Sequence, residues 1–272
     1  NRDNAFLSEK LFRMYYYNTN LKVEDCYFDG KNWGLSYQFF KELNFQSILK
    51  DMPEYKSEQF EQKTLFTSTN NNICVNSSEL LDELCNKIKA SKFCALDTET
   101  DGLNPLRVNC VGISVCIEEG TAYYIPIWHL TPDIQLSKQE IVEKLKPIFE
   151  DKKIKKILHH AKFDMLVIST LGIDLAGLEF DTLIAASLVS KDGNRINLKF
   201  LSEFYLNQPM PTFKETVTDR GYKNFAQVPV ADAIAYACTD AHQTFLLKPI
   251  LEKLLEENNM TKLFYDLEMP TN

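Results

Sequence analysis

Phe93-Cys94-Ala95-Leu96-Asp97-Thr98-Glu99-Thr100-Asp101 opens as a buried strand and closes on acids. The apolar run is too short for a helix and stops where the charge begins, so it reads as a strand with carboxylates at its end. Residues 111–117 and 122–127 are two more β-rich runs, broken by Glu118-Glu119-Gly120-Thr121, and with the first they predict a three-stranded meander. Upstream, Ser77-Ser78-Glu79 is set to cap a helix through Leu80, Leu81, Leu84 and Ile88. Downstream, Ser137-Lys138-Gln139-Glu140 is a capping box for a helix reaching about Phe149, and Lys156-Ile157-Leu158-His159 reads as another strand. Further helices are expected over about 162–171, 181–190, 197–206 and 230–257. Three antiparallel strands followed by alternating helix and strand predict an α/β fold, a mixed sheet with helices on its faces.

Residues 1–72 read differently, as an N-terminal extension or linker from a preceding domain. They are rich in Tyr, Phe, Asn and Lys, with a helical patch over 35–43 and a polar stretch, Thr67-Ser68-Thr69-Asn70-Asn71-Asn72. Residues 73–272 read as the main domain. The start at Asn1 without an initiator Met, and an end just after a helical pattern, lead us to expect a piece of a longer polypeptide.

Composition narrows the function classes. At 272 residues and 44% apolar content, the chain can bury one substantial core. No run of roughly eighteen apolar residues suggests a membrane span, and no basic-then-apolar leader precedes the domain. Seven scattered cysteines without a CxxC pair argue against a disulfide framework or a zinc site, and a reducing cytoplasm is expected. The four histidines show no metal-ligand spacing either. A net charge of −8 runs against a duplex-binding surface, unless the acids are gathered where divalent cations neutralise them.

The acids have that pattern. Asp97 and Glu99, two apart on a strand, project from one face of the sheet. Two carboxylates so close repel each other unless a cation stands between them, and oxygen-only ligands suit Mg²⁺ or Mn²⁺. Tyr236 and Asp240 lie four apart on a helix and share a face. Asp164 follows a strand at a helix start, where the helix dipole alone also favours an acid. Thr100 and Asp101 read as turn and capping residues. The bland alternatives are a solvated acidic turn for Asp97 and Glu99, and a core aromatic beside a surface acid for Tyr236 and Asp240.

The set F-x-x-L-D-T-E-T-D-G-L, then H-x-K-F-D, then Y-A-C-T-D-A resembles the three motifs of the DEDD exonucleases, whose ribonuclease-H-like fold has this element order. It is most similar to the 3′-5′ proofreading domain of bacterial family A DNA polymerase I, in the subgroup with Tyr four residues before the last Asp. The likeness covers most of residues 90–270, including Ala122-Tyr123-Tyr124-Ile125-Pro126 and the helix start at Asp181-Thr182. It implies that Asp97, Glu99, Asp164 and Asp240 ligate two divalent cations, Mg²⁺ or Mn²⁺, and that Tyr236 positions the attacking water. It further implies that Leu103 and Phe213 wedge against or stack on terminal bases, and that Arg195 lies near the substrate phosphate. His160 stands where the family usually has Asn, so its contact with the substrate is open.

The expected partner is DNA with a single-stranded or frayed 3′ end, acted on by a monomer whose parent chain carries polymerase and 5′ nuclease domains. An RNA-processing exonuclease of the same superfamily, or an inactive nuclease-like scaffold, are the alternatives.

Overall fold

The computed structural model describes residues 71–190 and 195–271 continuously, and before them only scattered positions between residues 8 and 52. The chain divides into two compact units, residues 1–64 and 65–272. In the first, Tyr37–Glu42 is helical, as its apolar patch predicts. Most of the expected extension, with the polar residues 67–70, lies outside the described residues.

The second unit is one six-stranded sheet of order β1-β4-β3-β2-β5-β6. Its strands are β1 (Asn71–Cys74), β2 (Phe93–Thr100), β3 (Cys110–Glu118), β4 (Thr121–Pro126), β5 (Lys155–Leu158) and β6 (Leu178–Asp181). The meander is present: β2 and β4 both pair antiparallel with β3, while β1 adds parallel to β4, and β5 and β6 continue parallel from β2. This is a ribonuclease-H-like mixed sheet.

Two strands escaped the sequence reading. Asn71 and Asn72, taken as linker, belong to edge strand β1, and β6 lies in a stretch for which no element was expected. Each has only four residues, half of them polar or acidic (Asn71-Asn72 in β1, Glu179 and Asp181 in β6), so neither shows an apolar run, and their partners rather than their own propensities hold them extended.

Helices cover both faces. On one side lie α1 (Ser78–Ser91), α2 (Lys138–Phe149) and α3 (Ala161–Ser169), which pack Leu84, Ile88, Leu145 and Ile168 against Cys94 and Leu96 of β2. On the other lie α4 (Thr182–Val189) and α6 (Val230–Glu257), which bury Ala185, Ala237 and Leu247 with Ala95 and Phe180. Between them comes the short α5 (Leu198–Leu201), running on into a π-helical turn, Ser202–Leu206. Because both faces are covered, β3 is buried at every residue but its last, which is why it reads as a continuous apolar run. Each fully buried Leu here contributes on the order of 2 kcal/mol.

The helix starts obey their caps. The Ser77 hydroxyl accepts from Leu80 N, the Ser137 hydroxyl from Glu140 N, and the Asn197 side chain from Phe200 N. The long α6 begins after Pro229 without a cap of its own. Asp133, from the loop after β4, supplies one by accepting from Val230 N at 3.1 Å.

Gly112 on β3 pairs with Glu99 and lies beneath the buried phenol of Tyr124. A Cβ there would sit 2.2 Å from the Tyr124 hydroxyl, which is itself bonded to His129 Nε2 at 2.7 Å. Gly112→Ala is therefore expected to cost about 2–3 kcal/mol by overpacking, read as a lowered denaturant midpoint. An unchanged midpoint would mean that Tyr124 can move aside.

Candidate active site

The face assignments along β2 place the acids. Cys94 and Leu96 point toward α1–α3, and Ala95 points toward α6. Alternation continues past Leu96, so Asp97 and Glu99 face α6, and Thr98 faces α3. The strand runs through Thr100, which excludes the solvated-turn reading: Asp97 is half-buried, and Glu99 is buried at 7% exposure.

From α6, Tyr236 and Asp240 meet them on the shared face. Carboxylate oxygens of Asp97, Glu99 and Asp240 lie within 4.8 Å of one another. Among the described residues, Glu99 Oε1 and Asp240 Oδ1 are buried without a hydrogen-bond partner. Orphaned oxygens gathered at this spacing, with no nitrogen or sulfur donor among them, fit a hard divalent cation.

Asp164 arrives from the opposite face, in the first turn of α3. Its Oδ1 accepts from Thr98 N at 3.0 Å and from Thr98 Oγ1 at 2.5 Å, and the residue is buried at 3% exposure. Thr98 thus fastens the Asp164 carboxylate to β2 at the residue between Asp97 and Glu99. The sequence reading passed over Thr98, although its alternation opposite two acids was the signal available. Asp164 is not within the tight cluster of three; its charge nevertheless acts on Asp97.

Burial and mutual repulsion dominate the electrostatics. Burial first, then the charges of Asp164, Asp240 and Glu99, holds the Asp97 carboxyl well above the ordinary range. Burial pushes Asp240 up to about 7, with Lys199 opposing, and pushes Asp164 up to about 7 against the two Thr98 hydrogen bonds. The buried Tyr236 phenol is raised by desolvation and by the charges of Asp240, Glu99 and Asp97. In these surroundings the phenol keeps its proton and remains a hydrogen-bond donor at neutral pH.

The remaining predicted residues are placed as follows. Leu103 is 93% exposed and Phe213 47% exposed, so core packing does not account for either. Asp101 fixes the Leu103 loop by accepting from Asn109 N and Asn109 Nδ2 at 2.8 and 2.9 Å. The Phe213 turn is built by a reciprocal cap that the sequence reading missed in Thr212-Phe213-Lys214-Glu215. Glu215 accepts from Thr212 N and Oγ1, and Thr212 Oγ1 accepts from Glu215 N. Arg195 is exposed. His160 is also exposed, its ring stacked on Phe163 at 6.2 Å, and its backbone is left-handed with φ 67° and ψ 50°. Asn is the non-glycine residue that most readily takes that conformation, and His tolerates it too, so the backbone explains why either can occupy this position.

The sequence profile of the 3′-5′ exonuclease family matches residues 72–256, from the first strand through α6. The chain belongs to the 3′-5′ exonuclease family of DNA polymerase I. Within this family, DNA polymerase I of Chloroflexus aurantiacus is 38% identical over 200 residues, covering 72% of this chain and 21% of that protein. DNA polymerase I of Borreliella burgdorferi is 30% identical and is matched by the whole chain, which spans 31% of it. The chain therefore spans about a fifth to a third of the length of these relatives. Among solved structures, Brucella melitensis NrnC is 26% identical with a TM-score of 0.51, covering 63% of this chain and 78% of that one. The catalytic core of RRP6 from Trypanosoma brucei, 19% identical with a TM-score of 0.57, covers 72% and 50% and shares the exonuclease fold.

Proposed function

We propose that this domain removes nucleoside 5′-monophosphates from DNA 3′ ends by two-metal hydrolysis, as the proofreading part of a DNA polymerase I. The observation that carries the reading is the meeting of Asp97, Glu99 and Asp240 within 4.8 Å, with Asp164 bonded to the intervening Thr98 and acting on Asp97 through its charge. Divalent cations, Mg²⁺ or Mn²⁺, would supply there the positive charge that lowers the pKa of an attacking water and stabilises the leaving 3′-oxygen. Asp97, Glu99 and Asp240 would hold the cation on the water side. Asp164 has one oxygen engaged by Thr98 and would offer the other to a second cation.

Tyr236, kept protonated by its surroundings, would orient the water rather than deprotonate it. Leu103 and Phe213, both exposed, would wedge against and stack on terminal bases, a contact that tolerates any base. His160 and Arg195 would meet the phosphates. Unpaired 3′ ends should be preferred, and with a net charge of −8 the isolated domain should bind duplex weakly. In the parent chain, polymerase and 5′ nuclease domains would deliver the end.

A second reading, an RNA-processing exonuclease, draws on NrnC, a solved complex of which holds pGG. Matched 3′-labelled DNA and RNA oligonucleotides with Mg²⁺ separate the two. Faster release of mononucleotides from the DNA, abolished by chelator, is expected. Equal or faster release from RNA would move the substrate assignment, and release from neither would remove the nuclease reading.

A further inference from the structure

Lys199, the second residue of α5, stands against the carboxylate cluster. Its ammonium donates to Pro211 O at 2.5 Å and lies 4.7 Å from the centroid of the Tyr236 ring. Its charge also acts on Asp240, Glu99 and Glu215. Pro211 immediately precedes Thr212, whose cap with Glu215 builds the turn of Phe213. One half-buried ammonium therefore touches two places distant in sequence: the backbone leading into the Phe213 turn and the face of Tyr236.

A lysine placed only to balance charge would keep its head in water and reach the acids from outside. This one gives up part of its hydration for a carbonyl and an aromatic face, and that separation lies within the range of a cation–π contact. The Tyr236 ring also meets the Phe225 ring, at 5.5 Å between centroids.

We propose that Lys199 is a positioning residue, fixing the Tyr236 ring beside the acids and, through Pro211, the Phe213 turn, so that attacking water and terminal base are aligned together. The inference rests on the exonuclease reading of the site.

The test is steady-state kinetics of the full 272-residue chain on a single-stranded 3′-labelled DNA oligonucleotide, comparing Lys199→Met, Lys199→Arg, Tyr236→Phe and the Lys199→Met/Tyr236→Phe double variant. Lys199→Met should lower kcat about tenfold, the scale of a partly desolvated cation–π contact, and raise KM several-fold as the Phe213 turn loosens. Arg, which keeps both cation and donor, should retain most of the activity. Because Lys199 acts through the tyrosine hydroxyl, the double variant should have the kcat of Tyr236→Phe alone.

Calorimetric titration with Mn²⁺ should show Lys199→Met binding at least as tightly as wild type, since a positive charge beside Glu99 and Asp240 is gone. That result excludes metal loss as the cause. If the Met variant does not fold, Lys199→Gln is measured in the same way. Unchanged kcat and KM, or fully additive losses in the double variant, overturn the proposal. An inactive wild type overturns the exonuclease reading instead.

Discussion

Asp97→Asn should abolish 3′-end hydrolysis and, in the same protein, raise the melting temperature of the metal-free state. The first effect follows from position. Asp97 lies at the centre of the sheet, within 4.8 Å of Glu99 and Asp240, and feels Asp164 from the other face. An amide there keeps the shape but gives up the charge that would hold a divalent cation. Several kcal/mol of transition-state stabilisation, about three orders of magnitude in rate, should go with it.

The second effect has the opposite sign because the acids oppose folding when no cation is bound. Asp164 and Asp240 are pushed up to about 7, and Asp97 well above its ordinary value, so the folded state holds protons more tightly than the unfolded one. Stability from these groups is then fully present below their unfolded values near 4 and is lost as pH rises through about 7. In chelator, wild type should melt lower at pH 8 than at pH 5. Asp97→Asn should melt higher than wild type at pH 8, by about 2–4 °C for each kcal/mol of relieved repulsion, with the gap closing toward pH 5. Mg²⁺ should raise the wild-type melting temperature and leave the variant nearly unmoved. A variant that melts below wild type in chelator at pH 8 would show that the cluster is not under charge strain.

What could be read from sequence was what strict periods encode. Strand alternation placed Asp97 and Glu99 on one face, and the four-residue helical repeat placed Tyr236 beside Asp240, because both patterns survive whatever tertiary structure surrounds them. The caps at Ser77 and Ser137 were legible for the same reason. The mode of attachment of Asp164 was not legible. It reaches the site through Thr98, a residue whose relevance appears only when α3 is folded against the opposite face of β2. Lys199 gave no local signal at all, since its partners Pro211 and Tyr236 are remote in the chain and the contact is made by tertiary packing. Strands β1 and β6 were lost because Asn71-Asn72 in one and Glu179 and Asp181 in the other break up the apolar signal, whereas β5, equally short, keeps Ile157-Leu158 together. The negative net charge, awkward for a protein acting on nucleic acid, is in part explained by acids brought together where cations would offset them.

Asp181 shows how much of the site depends on a residue outside the acid cluster. Its carboxylate accepts from His160 N at 3.0 Å and Ala161 N at 2.8 Å at the start of α3, and from Leu183 N at 2.9 Å and Ile184 N at 3.4 Å at the start of α4. One buried acid, 1% exposed, thereby caps two helices and holds His160 in its left-handed conformation. Asp181→Ala removes the acceptor of four backbone donors, that of Ala161 buried and the others part-buried, and should cost about 3–5 kcal/mol, read from denaturant unfolding. Activity should fall further than stability alone dictates, because Asp164 sits in the first turn of the helix that Asp181 pins. Asp181→Asn should be nearly as damaging: an amide has one acceptor oxygen, and its NH₂ would face an amide N–H. His160→Gly in the Asp181→Ala background should recover about 1 kcal/mol by removing the left-handed strain. The same Asp-to-Asn exchange therefore raises metal-free stability at position 97, where the carboxylate is repelled by Asp164, Asp240 and Glu99, and lowers it at position 181, where the carboxylate accepts four backbone hydrogen bonds. If Asp181→Asn melts within about a degree of wild type, the two helix starts are held by packing and not by this carboxylate.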